Sequence, residues 1–309
     1  MCRLCACTPG CPLNPCATAV FMQEPLAATP FIEDKPTLKQ RFIHAPWWFF
    51  GIILVIIWVG YSIFSREDYA EAFNFIRIGL TITISTALIS YALSLIIGLT
   101  AGLGRISKNV ILRNIATFYI EMVRGVPMLV LIFYIALVGV PSTVDGINGL
   151  GISLQNMGLE QVGDALLKVE NKNIPMNVRA VIALAVAYGA FLAEVFRAGI
   201  QSIPPGQMEA GRSLGMTRLQ SMVHIILPQA IRNILPALGN DFVAMVKDSS
   251  LVSVLAVRDI TQMSRLYAGA TFRFREAYTT LLILYLTMTL ILSLAVRWIE
   301  KRLRQDERE

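Results

Sequence analysis

The sequence predicts an all-α membrane protein, a bundle of about six transmembrane helices. Three observations predict it. Apolar residues make up 55% of the 309-residue chain and charged residues only 16%, which is too apolar for a soluble domain of this size. Apolar runs near the roughly 20 residues needed to cross a bilayer recur along the chain. Arg and Lys gather in alternate connections between these runs, as they do in the cytoplasmic loops of membrane proteins.

The chain opens on a tail, residues 1–45, that holds all five cysteines: Cys2, Cys5, Cys7, Cys11 and Cys16. Cysteines confined to that tail cannot staple the rest, so no disulfide framework holds the bundle. Cys2 and Cys5 resemble half of a metal knuckle, but no second Cys-x-x-Cys and no nearby His completes it. The tail reads as disordered, Pro-rich and cytoplasmic. It lacks the basic start, apolar run and small-residue cleavage site of a secretory signal. The first span, Trp47 to Phe64, is free of charge and starts on two tryptophans suited to the membrane interface. With a short outer loop it occupies residues 46–77.

The second span, Ile78 to Gly104, lies uncharged between Arg77 and Arg105. The third, Ile115 to Val140, is apolar except for Glu121 and Arg124, whose i,i+3 spacing predicts a pair on one helix face. Gly125 and Pro127 predict a kink there. Pro141 to Asn177 then reads as a long polar outer connection. Its Asp145, Glu160, Asp164 and Glu170 outnumber Lys168 and Lys172. It is either a surface insertion or a contact for an extracytoplasmic partner. The glycines of GINGLG, residues 146–151, have no strand before them and do not suggest a dinucleotide site. The fourth span, Ala180 to Phe196, ends beside a second i,i+3 pair, Glu194 and Arg197. The fifth, Ile231 to Val257, is interrupted by Asp241, Lys247 and Asp248. The sixth, Ala277 to Val296, leads into Arg297.

Charge sets the orientation. Arg105, Lys108 and Arg113 mark one loop, and Arg197, Arg212, Arg218 and Arg232 another. Arg297, Lys301, Arg302, Arg304 and Arg308 mark the C-terminal tail. These alternate, so both termini are expected in the cytoplasm. Arg258, Arg265, Arg273 and Arg275 fall on the outer side, against the rule.

Charges at membrane depth are costly and demand a reason. Asp241 is ten residues past Ile231, about 15 Å along a helix, which places it near the midplane. With Asn240 it would either receive a solute ammonium or serve a structural partner. Lys247, Asp248, Ser249 and Ser250 form a polar cluster that weakens the helix. They either open backbone groups to a solute or pair at the outer interface.

The connection at 204–230 has its own logic. Pro204, Pro205 and Gly206 end one helix. Glu209 to Leu214 predicts a short helix with an acidic residue in its first turn. Gly215 permits a sharp change of direction. Thr217 caps a second helix, on which Leu219, Met222, Val223 and Ile226 share an apolar face, and Pro228 enters the next span. Two short helices at an angle make a knob. It would fill a cleft on another protein or lie on lipid.

This stretch, EAGRSLGMTRLQSMVHIILP from Glu209 to Pro228, is similar to the EAA loop, E-A-A-x(3)-G-x(9)-I-x-L-P, of permease subunits of ABC importers. Glu209, Ala210, Gly215, Ile225, Leu227 and Pro228 fall on the pattern; Gly211 stands where the family usually has Ala. Three further segments resemble the polar amino acid branch of that family: EMVRGVPMLV at 121–130, AYGAFLAEVFRAGIQSIPPGQMEAGRSLG at 187–215, and KDSSLVSVLAV at 247–257.

The resemblance covers residues 78–302. It implies a five-span type I core with an extra N-terminal span before it and a short tail, 303–309, after it. It further implies a multi-pass permease of the cytoplasmic (inner) membrane that translocates a polar amino acid. The implied partners are separate ABC ATPase subunits, an extracytoplasmic solute-binding protein, and a second permease copy or sister permease. Glu209, Ala210, Gly211, Gly215, Ile225, Leu227 and Pro228 would couple to the ATPase. Asn240, Asp241, Lys247, Asp248, Ser249 and Ser250 would line the substrate path. ATP and Mg would bind the ATPase, with no cofactor in this chain.

The residues themselves agree that the chain is no enzyme. There is no G-x(4)-G-K-[ST] phosphate loop. No catalytic set and no metal site can be built around His44 and His224, and no nucleic-acid motif appears. The alternative class is an ion-coupled secondary transporter using Asp241, which needs no ATPase. No internal repeat of the kind such transporters carry is visible. A third class is a membrane anchor or receptor that transports nothing.

Overall fold

Inside a bilayer the backbone has no water to bind, so each apolar run satisfies its own polar groups as a helix. The computed structural model describes residues 47–305, and no strand occurs among them. Residues 1–46 and 306–309, with the cysteine tail, lie outside the described residues. The stretch up to Phe50 forms one unit, of which only four residues are described; the chain from Gly51 onward forms another.

Helix α1, Trp47–Ser65, ends where Arg66 takes an extended conformation, and α2, Glu67–Ile76, follows. Glu67 and Asp68 sit in the first turn of α2, facing the positive end of its dipole. Helix α3, Gly79–Ile106, continues α2 after a single turn. Val59 and Ile63 pack with Tyr69 and Ile283.

The expected third span is broken. Helix α4, Val110–Arg124, is capped by Asn109, whose side chain accepts from the N–H groups of Ile111 and Leu112. It stops at Gly125 because Pro127 forces the residue before it out of the helical region. The chain restarts as α5, Met128–Tyr134, passes a π turn at Ile135–Gly139, and continues as α6, Val140–Asn156. The π turn accommodates Pro141, which has no N–H to donate. The expected polar connection at 141–177 is therefore largely helical, and the GINGLG glycines lie inside α6.

Helix α7, Glu160–Leu167, folds back on α6 through Gly158, which has φ +87. A Cβ on Gly163 would lie 2.7 Å from the Gly151 carbonyl oxygen. The glycines here allow two helices to touch, a use that composition alone reads as loop.

Helix α8, Met176–Gln201, is the most enclosed span, packed against α3 through small residues. A Cβ on Gly98 would lie 2.7 Å from Leu192 Cβ, and one on Gly102 would lie 2.8 Å from the Ala193 carbonyl. Close approach of this kind holds membrane helices together by dispersion. The connection between α8 and α11 is described with the site.

Helix α11, Leu227–Asp248, gives way to a 3₁₀ segment, Ser249–Leu255, and then α12, Ile260–Thr271. The expected span from Ile231 to Val257 is thus not one helix. The 3₁₀ segment joins the core, with Val252 and Leu255 against Ile132, Ala180 and Leu184. Asp259 caps α12 by accepting from Gln262 N–H at 2.8 Å. Helix α13, Phe274–Gln305, closes the bundle.

Four stretches are long and apolar enough to cross a membrane: Glu67–Ile106, Met128–Asn156, Met176–Gln201 and Phe274–Arg302; Phe50–Tyr61 is apolar but shorter. The protein is a multi-pass membrane bundle. Arg232, Asn240, Asp241, Lys247 and Asp248 keep α11 out of that group. The basic segment after Val257 also finds partners: Arg273 bridges Asp68 at 3.0 Å and Glu71 at 2.8 Å on α2.

Candidate functional site: a protruding knob and a broken helix

Helix α8 ends at Gln201, and Pro204 precedes α9, Pro205–Ser213. Proline suits that first position because its missing N–H has no partner there anyway. Glu209 is the fifth residue of α9, so it lies in the second turn, not the first as expected. Gly215 has φ +85, the left-handed turn that glycine permits.

Thr217 and Gln220 then form a capping box. Thr217 Oγ1 accepts from Gln220 N–H at 3.3 Å, and Gln220 Oε1 accepts from Thr217 N–H at 2.8 Å. Helix α10, Arg218–Ser221, runs through a π turn at Met222–Ile226 straight into α11, with Pro228 in its first turn.

The two arms of the knob meet at Gly211, which is buried. A Cβ there would lie 2.8 Å from Ile225 Cδ1 and from Ser221 Oγ. Met208 and Ile225 pack onto Ile203, Ile226 and Ala230 at the base. The tip is bare: Leu214 is 82% and Leu219 73% exposed. Of the expected apolar face, Ile226 is buried while Leu219, Met222 and Val223 point out of the chain. Glu209, Ala210 and Arg212 are exposed as well.

Behind the knob lies a charged joint. Glu194 on α8 accepts from Arg197 at 2.8–2.9 Å and also from Arg105 on α3. Arg105 reaches on to Glu121 of α4 at 2.9 Å. Glu194 and Arg197 pair as their spacing predicts. Glu121 and Arg124 do not: Glu121 turns to Arg105, and Arg124 stacks over the Phe191 ring at 5.8 Å. Sequence reasoning missed Arg105, whose signal was its place at the end of an uncharged run.

The substrate-path candidates are split between two faces of α11. Residues seven apart share a face, so Asn240 goes with Lys247 and Asp241 with Asp248. Asp248 accepts from the Tyr188 hydroxyl at 2.7 Å. Tyr188 is the thirteenth of the 26 residues of α8, so the end of α11 is level with the middle of that span. Asp241 is seven residues earlier, about 10 Å closer to the knob.

Asp241 is half-buried, near Tyr91 and Tyr188, whose hydroxyls are already committed to the Leu238 carbonyl and to Asp248. Ser249 is fully buried and donates to the Val246 carbonyl at 2.7 Å. Lys247, which is exposed, and Ser250 line an open groove of about 760 Å³ between α11, the 3₁₀ segment, α12 and α13. No cluster of metal-ligating side chains occurs among the described residues.

Residues 94–305 match the family described as binding-protein-dependent transport system inner membrane component. The chain is 35% identical over 224 residues to the probable glutamine ABC transporter permease protein GlnM of Bacillus subtilis, covering 72% of this chain and 91% of that protein. It is 29% identical over 226 residues to the glutamine transport system permease protein GlnP of Escherichia coli, covering 73% and 91%. A crystal structure of an amino acid ABC transporter with histidines superposes with TM-score 0.60 at 34% identity, over 74% of this chain and 94% of that one. The inward-facing MetNI methionine ABC transporter shares the fold, with TM-score 0.56 at 17% identity, over 74% and 96%.

Proposed function

Because the chain belongs to the family of binding-protein-dependent transport system inner membrane components, we propose that it passes a polar amino acid across the cytoplasmic membrane and takes its energy from a separate ATPase through the 204–230 knob. The chain is an ABC importer permease; the substrate and the coupling role are the proposal. The observation that carries the coupling role is the knob itself. Its apolar tip, Leu214 and Leu219, is exposed at the end of a rigid, capped turn. Exposed apolar groups on a preorganised support mark a docking site.

Glu209, Ala210 and Gly215 belong to the docking element. Gly211, Ile225, Leu227 and Pro228 hold it to α11. A solute-binding protein outside and a second permease, identical or sister, complete the importer as the family implies. ATP and Mg belong to the ATPase. In this reading the solute passes the broken α11. Asn240, Asp241, Lys247 and Ser250 offer it polar groups, while Asp248 and Ser249 shape the break from within. Amino acid relatives support a polar amino acid as cargo.

Gly215→Asp tests the coupling. Space is open around a Cβ at this position, but the backbone is left-handed. We expect normal membrane insertion, lost uptake and weakened capture of the ATPase. Uptake at the wild-type rate would remove the coupling role.

A further inference from the structure

The break in the third span leaves one backbone carbonyl to be satisfied. In the π turn Val140 N–H donates to the Ile135 carbonyl, and the next residue, Pro141, has no N–H to offer Ala136. A bare carbonyl inside a membrane bundle is costly. Arg179 on α8 fills it, with Nη1 donating to the Ala136 carbonyl at 3.4 Å. Its Nε and Nη2 donate to the carbonyls of Ile174 and Asn171 at 3.1 Å and 2.7 Å. One side chain thus ties α8, the π turn and the return segment of the α6–α7 hairpin together.

That tie fixes where the hairpin stands. Leu131 clusters with Ala187 and Ala190, and Ala136 with Ala180 and Ala183. The α5–π segment and α8 therefore run antiparallel, and the chain passes the start of α8 near Ala136. All 17 residues of α6 lie beyond that level, about 25 Å of helix. Gly158 turns the chain back, α7 lies on α6 through Gly151 and Gly163, and Gln155 donates to Asp164 at 2.6 Å. The hairpin is a preorganised arm past the end of a membrane span. Alternating basic connections predict it on the extracytoplasmic side.

The arm ends in apolar side chains. Met157 is 77% exposed, and Leu159 and Val162 are about half exposed. The charge around them is negative: residues 140–175 hold four acids, Asp145, Glu160, Asp164 and Glu170, against Lys168 and Lys172. Anionic lipid headgroups recruit Lys and Arg, so an acidic arm gains nothing from a bilayer surface. An apolar centre with a charged rim on a rigid support fits another protein instead.

We propose that the tip of the α6–α7 hairpin, with Met157, Leu159 and Val162 at its centre and Glu160 at its rim, is where the extracytoplasmic solute-binding protein docks. The face it meets there is apolar and ringed by Lys or Arg. The proposal rests on the transport reading above and adds which surface of this chain is gripped and the chemistry of the grip. Because the arm is already ordered, docking costs little conformational entropy.

The test uses the permease–ATPase complex in nanodiscs and the solute-binding protein encoded with the permease, loaded with the amino acid that raises its melting temperature. ATP hydrolysis is titrated with the loaded binding protein for wild type, Met157→Ser/Leu159→Ser and Glu160→Lys. Capture of the ATPase and basal hydrolysis, both expected to be unchanged, check that each variant is folded. The double variant should raise the half-saturating concentration by about tenfold or more. Glu160→Lys should raise it by about threefold, a difference that shrinks at high salt. In a background without the native cysteines, Leu159→Cys should react with a water-soluble maleimide and be protected by the loaded binding protein. Half-saturation within about twofold of wild type in both variants overturns the docking surface and leaves the transport reading in place. Leu159→Cys that is unreactive before the binding protein is added also overturns it, since lipid or a second copy then covers the tip. Wild type that the loaded binding protein does not stimulate overturns both.

Discussion

Gly211 and Gly215 stand four residues apart in the knob and do different work. Gly211 lets α9 touch the turn before α11; Gly215 turns the chain through a left-handed conformation. Alanine should separate them. Gly211→Ala meets the flexible end of Ile225 and the hydroxyl of the buried Ser221 at 2.8 Å, with the Ser221 Cβ at 3.2 Å, so we expect a loss of about 1 kcal/mol and near-normal uptake. Gly215→Ala has room but a strained backbone, with an expected cost of about 1–2 kcal/mol and a clear fall in uptake. Thermal unfolding in detergent and uptake in vesicles read the two effects. Charged residues were harder to place. The i,i+3 rule paired Glu194 with Arg197 correctly and Glu121 with Arg124 wrongly. The rule sees one helix, whereas Glu121 had a partner on another. Asp241, half-buried without a hydrogen bond among the described residues, should on change to Asn lower uptake without loss of the ATPase complex.

Among the elements, the α3–α8 contact and the charged joint beneath it form the frame that holds the knob. Gly98 and Gly102 allow the backbones to meet, and a larger side chain at either would push into α8 backbone or Leu192. Gly102→Leu is expected to cost about 1–3 kcal/mol or more, seen as a lower melting temperature and reduced monodisperse yield. Removing Arg105 leaves Glu194 with only Arg197 and frees Glu121. Arg105→Gln should cost about 1–3 kcal/mol and loosen the ends of α3, α4 and α8 together. Hydrogen exchange at those three helix ends is the measurement; protection unchanged there would mean that the joint is ornamental. Hydrophobic runs located these helices well, since their length and composition are local properties. The α6–α7 hairpin was hidden because its polar, Gly-containing sequence resembles a loop, and the Gly151–Gly163 approach that lets its two helices touch is not visible along the chain. The surroundings of the end of α11 were not legible either, because Asp248 meets Tyr188 on another helix.

At the scale of the whole molecule, alternating basic connections predict the knob in the cytoplasm and the α6–α7 hairpin outside. Cysteine labelling tests this directly. With the five native cysteines replaced, Glu160→Cys should react with a membrane-impermeant reagent in intact cells, and Arg212→Cys only after the membrane is opened. The reverse pattern would invert the protein. Both sites reacting from one side would change the number of crossings between them. The sequence by itself determined the class of the protein: an all-α membrane bundle with a proline-bounded, glycine-turned knob between two of its helices. Those features follow from local composition, helix stops and turn chemistry, which need no neighbour to act. Tertiary structure alone decided which charges meet between helices and which helices touch. Those outcomes depend on side chains far apart in the chain: Arg105 with Glu194, Gly102 with Ala193, and Tyr188 with Asp248.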